Sequence, residues 1–185
     1  MRLFNVFMVL AVAGLCSCGG GSNEGEAGEG TEEVSSLPAV LQNRVTNYDM
    51  SEYFVNATFI IPDSSRGIPE VIENAFGGVQ LTVGNSYNIV INEHLEGTIQ
   101  SKTQELSEDL MYKNEIVEQG TDFILYKSVI ADSYVDPVFH FYAIKTIGGT
   151  NFEIHDYSEE GGYAESQARF MLESVNHLQP NNPAS

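Results

Sequence analysis

From Val79 to Ile91 the chain alternates between core-seeking and polar positions, with one interruption. Val79, Leu81 and Val83 bracket Gln80 and Thr82; after Gly84-Asn85-Ser86, Tyr87, Ile89 and Ile91 bracket Asn88 and Val90. A period of two marks a strand with one buried face. The faces also choose the loop. A two-residue turn sets Leu81 opposite Asn88 and Val83 opposite Ser86, mixing apolar and polar on one side. A three-residue loop sets Val83 opposite Tyr87, Leu81 opposite Ile89 and Val79 opposite Ile91, and the pattern predicts that register. A second hairpin is expected from Val138–Ile147 and Thr150–Tyr157 around Gly148-Gly149, because paired glycines supply the positive φ angles of a two-residue turn.

Tyr53–Ile61 also alternates and reads as a strand stopped by Pro62-Asp63; Phe123–Ile130 reads as another. Helices are expected elsewhere. Ile68–Phe76 has Pro69 in its first turn and Gly77-Gly78 at its end. Thr98–Lys113 repeats Ile99, Thr103, Leu106, Leu110 and Lys113 at helical spacing, and Ser101 to Gln104 has capping-box form, which offers a start further in. Tyr163–Leu178 carries a stripe of Ala164, Ala168, Met171, Leu172, Val175 and Leu178. Ser36 and Pro38 open a short helix with Leu37, Val40, Leu41 and Val45 on one side. Hairpin strands interleaved with helices give an α+β class: an antiparallel sheet built from hairpins, with two or more helices packed on it.

Composition bounds the rest. The 185 residues are 42% hydrophobic, enough for one real core, and the net charge is −18. Lys and Arg are few and scattered, which argues against nucleic acid and against adsorption to anionic headgroups. The acidity reads as solubility, with a basic partner or a cation as the other reading.

The N-terminus has a different character. Arg2 is the only charge in the first 23 residues, and Leu3–Leu15 forms an apolar run of signal-peptide length. Leu15-Cys16-Ser17-Cys18 resembles a bacterial lipobox, with a branched apolar residue at −3, a small one at −1 and then the cysteine. The resemblance implies that Cys18 is diacylglyceryl-modified and becomes the first residue, while Cys16 leaves with the signal. Taking Cys16 as the lipid site puts Leu15 at −1, where a small residue is needed. Thiol chemistry, a disulfide and a C-x-C metal site are then excluded together. Gly19–Glu33 is rich in Gly, Ser and Glu, the composition of a solvated tether. Acidic tethers of this kind resemble those of surface-exposed Bacteroidota lipoproteins, although three glycines and Ser-Asn precede the first glutamate. The expected organisation is a signal peptide over 1–17, a tether over 18–36, one globular α+β domain over 37–179 and a disordered tail over 180–185.

The element order from residue 79 onward, with Tyr87-Asn88-Ile89-Val90-Ile91 in an early strand and Phe170-Met171-Leu172-Glu173-Ser174-Val175 in the last helix, resembles the PsbP-like fold of the oxygen-evolving extrinsic proteins and their bacterial relatives. The likeness spans about residues 79–178 and brings no catalytic motif, so it implies a fold and no single function.

Motifs for nucleophilic, zinc, phosphate and calcium chemistry (G-x-S-x-G, H-E-x-x-H, a Walker loop, an EF-hand loop) are absent from the sequence. One constellation remains. With the Gly148-Gly149 turn, His140 faces Tyr157, Tyr142 faces His155 and Ile144 faces Glu153, all on one side of the sheet. Phe139, Phe141, Ala143, Phe152 and Ile154 take the other side, the expected core face. His140 and His155 are diagonal neighbours, close enough to consider a shared metal with Glu153. The plainer alternative is a half-exposed face covered by the C-terminal helix. The band His140, Tyr142, Glu153, His155 and Tyr157 is therefore the candidate ligand surface, with no resident metal or cofactor expected. His94 is expected in solvent, and His177 as a helix-end residue. The expected protein is a lipid-anchored, non-catalytic binding or accessory module of the bacterial cell envelope, at the outer membrane and surface-exposed. The alternatives are an inhibitor or immunity lipoprotein for a basic protein, and a metal-dependent enzyme.

Overall fold

The structure, a computed structural model, describes residues 37–74, 77–94, 96–130, 133–159 and 161–181. A short 3-10 turn at Ala39–Leu41 leads into β1 (Val45–Asp49). A second 3-10 turn at Ser51–Tyr53 leads into β2 (Ala57–Pro62), β3 (Pro69–Glu73), β4 (Val79–Val83) and β5 (Tyr87–Glu93). Then follow α1 (Ile99–Ser107), β6 (Tyr112–Gln119), β7 (Phe123–Ile130), β8 (Val138–Ile147), β9 (Thr150–Asp156), α2 (Glu165–Asn176) and β10 (Gln179–Pro180). Seven strands form one sheet in the order β3-β4-β5-β9-β8-β7-β6, and β1-β2-β10 form a small second sheet. Every pairing is antiparallel. The class is α+β, as the pattern indicates.

Two meanders, β3-β4-β5 and β6-β7-β8-β9, meet where β5 pairs with β9. The first hairpin has the register that its faces require: Val83 opposite Tyr87, Leu81 opposite Ile89, Val79 opposite Ile91. These residues belong to the main core, with Phe141, Ala143 and Ile154 of the second meander, Phe59 and Ile61 of β2, and Ala168, Met171, Leu172 and Val175 of α2. Within that core the Tyr87 hydroxyl and Ser174 Oγ are 3.0 Å apart, both fully buried. A buried phenol needs such a partner, because an unpaired one forfeits its bond to water.

α1 lies on the opposite face, where Ile99 and Leu106 pack on Ile124 and Tyr142. Its nine residues reach about 14 Å, whereas seven strands at about 4.8 Å spacing make a sheet roughly 30 Å across. One short helix cannot cover that face. Its β4–β5 part is polar, with Gln80 donating to Asn88 at 3.0 Å.

Several elements differ from the expected ones. The helix expected over Ile68–Phe76 does not form among its described residues, 68–74; Pro69–Glu73 pairs with β4 as an edge strand. Val71 and Ile72 are β-branched, and a proline at the first position of an edge strand costs no ladder bond. The helix expected up to Lys113 stops at Ser107, because Asp109 Oδ1 accepts the N–H groups of Met111 (2.8 Å) and Tyr112 (3.0 Å) and turns the chain into β6. Its start is at the Thr98 cap, with Ser101 as the reciprocal partner. The strand expected from Tyr53 begins only at Ala57, after Phe54 at φ 63°. The helix expected from Ser36 amounts to one 3-10 turn, and Val45 opens β1. Gln179 and Pro180 pair with β2, and the Asn181 amide donates to Asp49 Oδ1 at 2.7 Å. The signal peptide, Cys16, Cys18 and the tether, together with residues 182–185, lie outside the described residues.

Candidate functional site

The second hairpin sets the site. Gly148 (φ 59°) and Gly149 (φ 90°) make its two-residue turn, and the expected pairs form: Tyr142 opposite His155 and Ile144 opposite Glu153. His140 and Tyr157 do not pair. The ladder ends at Tyr142–His155, and the Asp156 side chain takes over the acceptor role. Its Oδ1 accepts the Phe141 N–H at 2.7 Å and its Oδ2 accepts from His140 Nδ1 at 2.8 Å. Beyond that clamp the chain leaves β8. The Tyr157 N–H donates to Asn88 O of β5 at 3.1 Å, and its side chain is exposed. Tyr163 meets β8 instead, exchanging two backbone bonds with Phe139. The return passes through Gly162, where a Cβ would strike the side chain of Val138 and the ring of His140.

Four of the five band residues, His140, Tyr142, Glu153 and His155, line one cavity of about 290 Å³; Tyr157 does not. Lys102 and Glu105 of α1 form another wall, and Tyr126 and Asp156 complete the polar lining. Tyr126 sits opposite His140 across β7 and β8, and the rings stack at 5.2 Å between centroids. Lys102 Nζ lies 5.5 Å above the Tyr142 ring and 2.7 Å from Glu105. The Tyr142 hydroxyl donates to Glu153 Oε2 at 3.0 Å, and His94 Nδ1 approaches the same oxygen at 3.5 Å. His94 is thus not in solvent: its side chain is 8% exposed. Burial, and next the charge of Glu153, push the Tyr142 phenol up in pKa; burial, and next Asp156, do the same for Tyr126.

These bonds fix proton positions. A carboxylate accepts only, so His140 Nδ1 carries the proton it shares with Asp156. His155 Nδ1 lies 2.8 Å from the Asp156 carbonyl, so it too is the protonated nitrogen. In the neutral rings both Nε2 atoms are acceptors. With the Glu105 and Glu153 carboxylates, the lining is rich in acceptors and suits a ligand rich in donors, such as a polyol or an amine. A serine, threonine or cysteine nucleophile is not among the lining residues. Among the described residues no group of three His, Cys, Asp or Glu side chains is placed to hold a metal ion.

Asp156, Tyr126, Lys102 and Glu105 complete the cavity without having been singled out by the sequence pattern. One signal was available for Asp156. It shares parity with Phe152 and Ile154, so an acid stands where the core face asks for an apolar residue. Tyr126 and the α1 residues depend on long-range pairing that no local pattern carries. His177 ends α2, with its Nδ1 3.0 Å from the Glu173 carbonyl.

Comparison of the chain with protein-family models, with curated proteins and with solved structures gives no match. Among the described residues no helix is long and apolar enough to cross a membrane.

Proposed function

We propose that this chain is a lipid-anchored cell-envelope protein that binds a small, donor-rich polar ligand and does no catalysis. The observation that carries the binding reading is the cavity between α1 and the β8–β9 hairpin. Its imidazoles are oriented by Asp156, and its carboxylates are held in place by Tyr142, His94 and Lys102. Oriented acceptors without a nucleophile suit recognition better than group transfer. The anchor reading rests on the lipobox-like Leu15-Cys16-Ser17-Cys18 and the Gly/Glu tether, which would hold the domain at the outer membrane with its cavity facing the surroundings.

Two experiments test this. Titrating the ¹⁵N-labelled full chain with glycerol, glucose and putrescine should shift the amides of Tyr142, Glu153 and His155 for at least one probe. Glu153→Gln should weaken that response. Silence of the cavity amides to all three would overturn the binding reading. Metabolic labelling with a palmitate analogue should mark the protein and be lost in Cys18→Ala. Labelling that survives Cys18→Ala but not Cys16→Ala would refute the register.

A second reading, an inhibitor or immunity lipoprotein for a basic protein, is favoured by the net charge of −18. It requires a salt-sensitive protein complex, because charge-steered association weakens steeply with ionic strength. The metal-dependent enzyme is the weakest reading: Nε2 of each imidazole is free, but among the described residues no group of three His, Cys, Asp or Glu side chains is placed to hold a metal ion.

A further inference from the structure

We propose a second binding site on the α2 side of the sheet, for a small organic acid with an apolar body. Its carboxylate would be held by Arg44 and Arg66 and its body would lie against Pro62 and Phe170. These four residues line a cavity of about 450 Å³, to which Ser86 and Ser166 add hydroxyls.

The arginines are what make this cavity unusual. The sequence has 8 Lys and Arg against 26 Asp and Glu. Lys102, Lys127, Lys145 and Arg169 are each spent on a carboxylate. Arg44 and Arg66 form no ion pair and no side-chain hydrogen bond with any described residue, yet both residues line one cavity. In so acidic a chain, two arginines that share a cavity without an ion pair would both attract an anion bound there.

The backbone holds both in place through one residue. The Asp63 N–H donates to the Arg44 carbonyl at 2.9 Å, and the Arg66 N–H donates to the Asp63 carbonyl at 3.0 Å. Arg44 itself is in the left-handed region, at φ 57°, where a glycine or asparagine would sit with less strain. Gly67 and Gly84 let the Arg66 loop lie directly on the β4–β5 turn: a Cβ on Gly84 would collide with the Arg66 carbonyl, and one on Gly67 would come within 2.6 Å of Gly84 N. The Asp63 carboxylate is attracted by both arginines and offsets part of their charge, without forming an ion pair with either. It is taken up by Ser65, whose N–H donates at 3.0 Å, and its pKa is held down by Ser65 first and by Arg44 and Arg66 after that. Glu165, beside Ser166, is paired with Arg169 at 3.2 Å. Distant acidic residues count for little, because charges beyond about 8 Å are screened at physiological salt.

The apolar wall selects among anions. A guanidinium pair alone would take phosphate, whereas Pro62 and Phe170 favour a carboxylate that carries hydrocarbon. The test is an NMR titration of the ¹⁵N-labelled full chain with benzoate, benzyl alcohol and inorganic phosphate. Benzoate is expected to shift the amides of Arg44, Arg66, Ser86 and Ser166 and to bind at least fivefold more tightly than either control. Arg44→Gln and Arg66→Gln should each weaken benzoate at least fivefold. Both side chains are exposed, so the melting temperature should stay within a few degrees. Benzyl alcohol binding as tightly as benzoate would remove the role of the arginines, and phosphate binding as tightly would remove that of the apolar wall. No shift at 20 mM benzoate would overturn the site. The wild-type comparison of the three probes decides the matter even if a variant fails to fold.

Discussion

Asp156→Ala is the sharpest test of the clamp that shapes the candidate site. The carboxylate is almost completely buried and accepts two donors, the Phe141 N–H at 2.7 Å and His140 Nδ1 at 2.8 Å. Phe141 is 1% exposed, so its orphaned N–H cannot find water. Leaving a buried donor unsatisfied costs about 1–3 kcal/mol. The imidazole is 19% exposed and can turn to solvent, so its lost bond adds about 1 kcal/mol, the central value for a hydrogen bond and less than a fully buried bond to a carboxylate would cost. The expected loss is about 2–4 kcal/mol. Asp156→Asn should cost much less, about 1 kcal/mol. Its oxygen still serves Phe141, and its amide can donate to His140 Nδ1 once the ring proton moves to Nε2. Urea unfolding of the full chain, followed by circular dichroism, gives both numbers, provided the denaturant slope is unchanged. The ¹⁵N shifts of His140 report the tautomer. An alanine variant within about 0.5 kcal/mol of wild type would refute the reasoning, since even one orphaned buried donor costs more. So would an asparagine variant as unstable as alanine, because charge and not hydrogen-bond count would then hold the clamp.

The core contact between Tyr87 and Ser174 should show a coupling of about 1 kcal/mol in a double-mutant cycle of Tyr87→Phe and Ser174→Ala; additive losses would show that the two hydroxyls do not interact. Burial, and next Asp156, raise the Tyr163 phenol to about 12, above its ordinary value of 10.0. A phenol whose folded pKa is raised stabilises the fold fully below pH 10, and that stability is lost as the pH rises toward 12. Tyr163→Phe should therefore flatten the fall in stability over that range, and an unchanged slope in alkaline unfolding curves would count against the shift. Gly84→Ala should cost at least about 2 kcal/mol, because it combines a left-handed φ with a collision against the Arg66 carbonyl; a loss below about 1 kcal/mol, seen by thermal melting, would mean that the loop yields. Tyr142→Phe should leave stability within about 1 kcal/mol but free the Glu153 carboxylate from its 3.0 Å donor, and a larger loss would mark the bond as structural.

Local pairing was legible in the chain because each hairpin brings its own turn and its own two faces. The three-residue loop at Gly84–Ser86 and the glycine turn at 148–149 set their registers within about twenty residues, and those registers place Tyr142 beside His155 and Ile144 beside Glu153. Elements that lean on distant partners read poorly. Pro69–Glu73 has a helix-like start and stop, but β4 offers it an open edge. β6 exposes most of its side chains, so it lacks the alternation that a half-buried strand prints on a sequence. The limit of the His140–Tyr157 pairing came from Asp156, whose side chain replaces a ladder bond and releases the chain toward Tyr163.

By itself, then, the sequence determined the hairpins, the α+β class and the shared side of His140, Tyr142, Glu153 and His155, because side-chain parity along a strand is a local property. Only the tertiary structure decided that α1 rather than α2 lies over that side, that Tyr126 stacks on His140, and that Arg44 and Arg66 share a cavity. Those placements follow from which apolar stripe finds which face. That choice is made by burial summed over the whole sheet, and no short window of residues contains it.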